Sequence, residues 1–163
     1  YQEGAVSLKC RYKGEDYWYV FTMPVTKFIP MWGGRQLGFP KYIADEISLK
    51  QVGDKWVGRL MHKNQCKMRL SFSPAIHEES RQTEESFFLG KIVNLYPASQ
   101  GPKVFAVNLK HQVDANWNPV NGMIKVDMDM GDELDGLFDK ERSYVGMYNE
   151  FKGGMNLSPY RLN

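Results

Sequence analysis

CKMRLSFS, residues 66–73, alternates apolar Cys66, Met68, Leu70 and Phe72 with polar Lys67, Arg69, Ser71 and Ser73. A period of two puts successive side chains on opposite faces, so this is a strand with one face inward and one wet. The same alternation runs through Val6–Tyr12 and through Ile124–Met130, where Lys125, Asp127 and Asp129 take the wet face. Tyr17–Met23, Lys55–His62, Phe87–Leu95 and Val104–Leu109 are further strands, rich in aromatic and β-branched residues. Turn residues separate them at Lys13-Gly14-Glu15-Asp16, Gly53-Asp54, Gln100-Gly101-Pro102 and Asn121-Gly122. This spacing predicts a mainly β (α+β) chain whose antiparallel sheet curls into a barrel or sandwich, with short flanking helices. Helix is expected only as a turn in Gly131–Lys140 and a short helix in Arg142–Phe151. Ser73–Ser86 lacks alternation and reads as an exposed connector.

A length of 163 residues suits one domain with one core. With 21 basic and 19 acidic residues interspersed, the formal charge is +2, and nothing marks a nucleic-acid groove or a polybasic membrane patch. No apolar run approaches the roughly 18 residues of a spanning helix. Cys10 and Cys66 both fall in strand alternation, where small buried thiols are expected rather than redox or metal ligands. Free thiols and the lack of a signal peptide point to a reducing, cytoplasmic setting. The chain opens on Tyr1 and enters a strand almost at once, as a processed product, a fragment or an incompletely identified chain would.

Most motifs of catalysis are absent. His62, His77 and His111 lie far apart without metal-ligand spacing, so no metal site is expected. The acidic run from Asp127 to Asp135 is similar to a calcium loop, but Gly131 falls one position early and the closing glutamate is missing. Neither a Gly-x-Ser-x-Gly elbow nor a Gly-x-Gly-x-x-Gly phosphate loop occurs. What remains is Lys41, placed after Gly38-Phe39-Pro40. A lysine has an ordinary pKa near about 10.4, so a nucleophilic one must lose its proton through desolvation or beside another cation. Pro40 stiffens the backbone before it, Phe39 offers an apolar wall, and Gly33, Gly34 and Gly38 allow a sharp turn or a close approach. On these residues alone, a lysine aimed into an apolar cavity and a surface lysine after a turn both remain open.

Gly34-Arg35-Gln36-Leu37-Gly38-Phe39-Pro40-Lys41 resembles the signature of the acetoacetate decarboxylase family, in which Gly-Arg-Glu leads into Gly-(Phe/Tyr)-Pro-Lys-Lys. Tyr1-Gln2-Glu3 resembles that family's Tyr-x-Glu, and the Ala5–Tyr12 strand, the Lys13-Gly14 turn and the Tyr17–Pro24 strand follow in the family's order. The tail from Arg142 to Leu162 resembles its closing helix-like segment. The likeness covers most of the chain, and the lysine motif is its specific part. It implies a β-barrel with an interior cavity, a homo-oligomer, and a Schiff base on Lys41 with a small keto acid, without cofactor. By the same resemblance Glu3 shuttles protons or places substrate, Phe39 walls the cavity, and Arg35 holds a carboxylate. Gln36 and Tyr42 join the substrate-binding set.

The chain also departs from that pattern. Tyr42 replaces the second lysine, Gln36 replaces the glutamate, and the spacing to Lys41 is one residue shorter. Residues 1–163 are expected to form a single domain of this type that lacks the family's N-terminal segment and its arginine. Two functions follow. One is a lyase that decarboxylates a small keto acid or performs aldol or dehydration chemistry on it, with Tyr42 a hydroxyl acid or base if its ring turns inward. The other is a non-catalytic small-molecule-binding barrel or a subunit of a larger assembly.

Overall fold

The alternating segments pair into two sheets in the computed structural model, which describes residues 1–74, 91–96, 103–113, 120–129, 141–148 and 153–161. In chain order these hold β1 (Val6–Tyr12), β2 (Glu15–Val25), α1 (Phe28–Gln36), β3 (Lys41–Ile43), β4 (Glu46–Val52), β5 (Lys55–His62) and β6 (Gln65–Pro74). They continue with β7 (Lys91–Tyr96), β8 (Lys103–Val113), β9 (Val120–Met128), β10 (Tyr144–Tyr148) and β11 (Gly153–Arg161). One sheet runs β1-β2-β7-β8-β11 with β3 also on β2; the other runs β10-β9-β6-β5-β4. Pairing is antiparallel except at β2, which takes β3 and β7 in parallel. Mainly β structure is thus as expected, whereas closure into a barrel does not appear among the described ladders, which form two separate sheets.

CKMRLSFS lies within β6, flanked by β5 and β9. Phe72 is buried, while Arg69 faces solvent. Asp127 and Asp129 are exposed, as the wet face of β9 and its exit. Cys10 and Cys66 are free thiols, half-buried rather than buried. The first sheet carries a core of Val20, Met23, Phe39 and Ile92, against which Trp18 and Leu37 pack. Val20 and Ile92 are fully buried; burial of an aliphatic side chain of that size stabilises by roughly 1.5–3 kcal/mol.

Four local expectations need correction. Asn121-Gly122 is not a turn but lies inside β9, with Gly122 opposite Pro74. A Cβ there would run into the Ser73 carbonyl and the Phe72 ring, so the glycine serves close packing. The short helix expected in Arg142–Phe151 is replaced at Tyr144–Tyr148 by β10, paired with β9. Tyr144-Val145-Gly146-Met147-Tyr148 is a short apolar run, which periodicity cannot assign to strand or helix. The helix-like tail instead contains β11; there Pro159, which has no N–H to give, sits on a strand paired to β8 alone in the described sheet. Finally, the Gly33–Pro40 bend begins as α1, a helix the sequence did not announce. Gly131–Lys140, the Gln100-Gly101-Pro102 turn and most of the Ser73–Ser86 connector lie outside the described residues.

Helix α1 hides itself for physical reasons. Its residues include Pro30, Gly33 and Gly34, all poor helix formers. Pro30 is tolerated because it falls in the first turn, where an amide hydrogen has no intrahelical acceptor. The usual amphipathic signal is inverted too: Phe28, Ile29 and Trp32 are exposed, and the residue that α1 buries is Gly34.

Candidate active site

Lys41 is aimed by the way α1 ends. Gly38, at φ +79°, takes the left-handed conformation that glycine adopts without steric cost. Its N–H donates to the Arg35 carbonyl and the Phe39 N–H donates to the Gly34 carbonyl, each at 3.0 Å. These bonds cap two of the orphan carbonyls of the helix end. Pro40 follows where the helix cannot continue, and the Lys41 N–H turns back to the Phe39 carbonyl at 2.8 Å. The stiffened bend is therefore a helix stop that feeds directly into β3.

Strand β3 lies parallel to β2, with Lys41 beside Met23. On the other side of β2, Glu3 bridges Val25, the Gly4 N–H donates to the Pro24 carbonyl at 3.0 Å, and the Thr26 N–H donates to the Gln2 carbonyl at 3.1 Å. The Gln2 N–H reaches the Thr26 hydroxyl at 2.9 Å. Glu3 and Lys41 thus stand on the two neighbours of one strand, about 9–10 Å apart by sheet spacing and within reach of long side chains. The Lys41 ammonium donates to Glu3 Oε2 at 2.5 Å, and Lys41 is only 8% exposed. Its stem lies against Gly34, where a Cβ would overlap Lys41 Cδ and Cε. The rings of Tyr1 and Phe39 each stand 6.0 Å from its Nζ. The Tyr1 phenol is pushed above its ordinary value of 10.0 by partial burial, then by the charge of Glu3 and a hydrogen bond to that carboxylate.

The sequence-derived set is therefore only partly assembled. Lys41, Glu3 and Phe39 come together, with Phe39 buried in the core as a wall. Arg35 touches Lys41 by another route: its Nε donates to the Lys41 carbonyl at 2.7 Å, so it braces the backbone at the base of the lysine. Gln36 is exposed at the last position of α1. Tyr42 points away from the amine, because neighbours on a strand take opposite faces. Its ring meets His62 edge-on at 4.7 Å, and His62 Nδ1 lies 3.0 Å from the Ile43 carbonyl. Tyr1 and Gly34 had signals in the sequence, but their contacts with Glu3 and Lys41 are tertiary.

A cleft of about 330 Å³ lies on that far face, and Lys41 does not line it. His77 falls outside the described residues and His111 sits on β8. Among the described residues, no group of three or more His, Cys, Asp or Glu could hold a metal ion, and no helix is long and apolar enough to cross a membrane.

A family model described as acetoacetate decarboxylase (ADC) matches residues 1–118. The fold is similar to that of acetoacetate decarboxylase from Legionella pneumophila subsp. pneumophila str. Philadelphia 1, with a TM-score of 0.74 at 18% identity, covering 98% of this chain and 64% of that one. It is also similar to the enduracididine biosynthesis enzyme MppR complexed with pyruvate, with a TM-score of 0.72 at 16% identity, covering 95% of this chain and 65% of that one. A further acetoacetate decarboxylase structure gives a TM-score of 0.78 at 12% identity, covering 98% of this chain and 67% of that one. At these identities the likeness is one of fold. The chain spans less than two thirds of the length of the first two. No curated protein sequence matches it.

Proposed function

Since the chain belongs to the acetoacetate decarboxylase family, we propose that it is a lyase forming a Schiff base between Lys41 and a small keto acid. The observation that carries this reading is the burial of Lys41, 8% exposed beside the rings of Tyr1 and Phe39, with the Glu3 carboxylate 2.5 Å from its Nζ in place to receive the proton. Glu3 takes a proton from Lys41, and the free amine adds to the substrate ketone. The carbinolamine loses its hydroxyl as water, using the proton that Glu3 returns, and leaves an iminium. That iminium accepts the electron pair of the C–CO₂ bond as carbon dioxide departs, or the pair of a C–H bond in the aldol and dehydration variants. The similar structure complexed with pyruvate supports a small keto acid as the substrate class. We further propose that residues 1–163 belong to one domain, that its sheets curl toward a barrel, and that the protein is a homo-oligomer.

Trapping tests the reading. Incubation with pyruvate or acetoacetate followed by borohydride is expected to leave a reduced adduct on Lys41, located by peptide mass and lost in Lys41→Ala. An ion pair that never opens favours a second reading, in which the protein binds a small molecule without turnover. Unmodified protein with both keto acids would overturn the Schiff base and favour that reading instead.

A further inference from the structure

The 330 Å³ cleft behind β3 has its own chemistry. Its volume is at the small end of ligand pockets. Phe21, Leu60 and Met68 give it an apolar lining, with Leu60 nearly inaccessible to solvent. Tyr42 and His62 form one wall, and their mutual geometry is fixed by the edge-on ring contact. A carbonyl can only accept, so His62 Nδ1 carries the hydrogen toward Ile43, and Nε2 of the neutral ring is an acceptor. Thr22, Lys67 and Asp129 complete the lining, and the last two are joined at 2.9 Å across 62 residues of chain.

Lys67 and Asp129 decide the ligand class. An ammonium has three donors and a carboxylate about four acceptor positions, so the pair can each take a further partner of opposite charge without separating. Together they are neutral. A simple keto acid would meet Lys67 alone and set its carboxylate beside that of Asp129, and a simple amine would meet Asp129 alone and set its charge beside that of Lys67. A ligand carrying an ammonium and a carboxylate on one carbon meets both, and an apolar side chain fills the lining. We propose that this cleft binds a small zwitterion, an α-amino acid with an apolar or aromatic side chain, on the face of β3 opposite Lys41.

The site is distinct from the chemistry assigned to Lys41 and does not depend on it. The test is titration of the full chain with L-phenylalanine, followed by calorimetry and by saturation-transfer NMR, beside 3-phenylpropionate and phenethylamine. L-Phenylalanine is expected to bind at one site, with each comparator about tenfold weaker because one charge-assisted contact is missing. Lys67→Met and Asp129→Asn should each weaken L-phenylalanine by a similar factor, Lys67→Arg should restore most of the affinity, and Lys41→Ala should leave it unchanged. Both substituted side chains reach solvent, at 27% and 56% exposure, and the denaturant midpoint of each variant checks its fold. No binding by either method, equal binding of all three compounds, or loss of binding in Lys41→Ala would overturn the proposal.

Discussion

Lys41 and Glu3, 38 residues apart in sequence, meet across the end of β2 with 2.5 Å between Nζ and Oε2. Neither residue could be held there by its own segment. The lysine side chain is 9% exposed and the glutamate 28%, so the pair is shielded from water on the lysine side and open on the other. Glu3→Gln keeps an acceptor for the amine but removes the carboxylate proposed as the base. Stability should fall by about 1–3 kcal/mol, the cost of weakening a charge-assisted contact to a buried group. Schiff-base trapping should slow by about 10²–10⁴-fold, the usual worth of a general base. Denaturant titration and timed borohydride quenching separate the two effects.

Gly34→Ala tests the cradle under the lysine stem. The added methyl overlaps Lys41 Cδ and Cε, and the flexible stem is what must move. Alanine gains about 1 kcal/mol of helix propensity over glycine, which offsets part of the crowding. A small change in melting temperature is therefore expected beside a loss of trapping of about 100-fold, as follows from displacing a reacting atom by about 1 Å. Unchanged trapping would show that the stem has room to spare.

Arg35 can be tested as a brace or as a carboxylate clamp. Its Nε is engaged on the Lys41 carbonyl. Arg35→Lys cannot reproduce that directed contact. The brace predicts that trapping slows by a similar factor for acetoacetate and for acetone, which has no carboxylate. A clamp would slow acetoacetate alone.

Gly38→Ala addresses the helix stop. At φ +79° a side chain costs about 1–2 kcal/mol, and that loss should appear in denaturant midpoint. If Gly38→Ala is as stable as the parent, the left-handed residue is not what ends α1.

The Tyr1 phenol gives a pH signature. Its folded value is raised, first by partial burial and then by Glu3, so the folded chain keeps this proton where the unfolded chain begins to lose it. This contribution to stability is complete below the ordinary value of 10.0 and is lost as pH rises through the folded value. Ring-carbon NMR should place the Tyr1 titration above that of an exposed tyrosine. Glu3→Gln should bring it partway back, since burial remains.

Several features were legible locally. Alternation in Val6–Tyr12 and Cys66–Phe72 reports a strand with one wet face without knowledge of its partner, and β1 and β6 lie there. Lys13-Gly14 and Gly53-Asp54 are turns because their left-handed residues, Lys13, Gly14 and Gly53, are local matters of backbone geometry. Gly38-Phe39-Pro40 marked a stiffened bend before Lys41, whose direction these residues alone left open, and the same residues stop α1 and open β3. Helix α1, the burial of Gly122 within β9, and the strand at Tyr144–Tyr148 were illegible because each depends on what packs against it. The choice of Glu3 as partner of Lys41, and of His62 as partner of Tyr42, also belongs to the tertiary structure. Side-chain periodicity is a property of neighbours in sequence, whereas these contacts are between strands, where register and crossing decide which atoms meet.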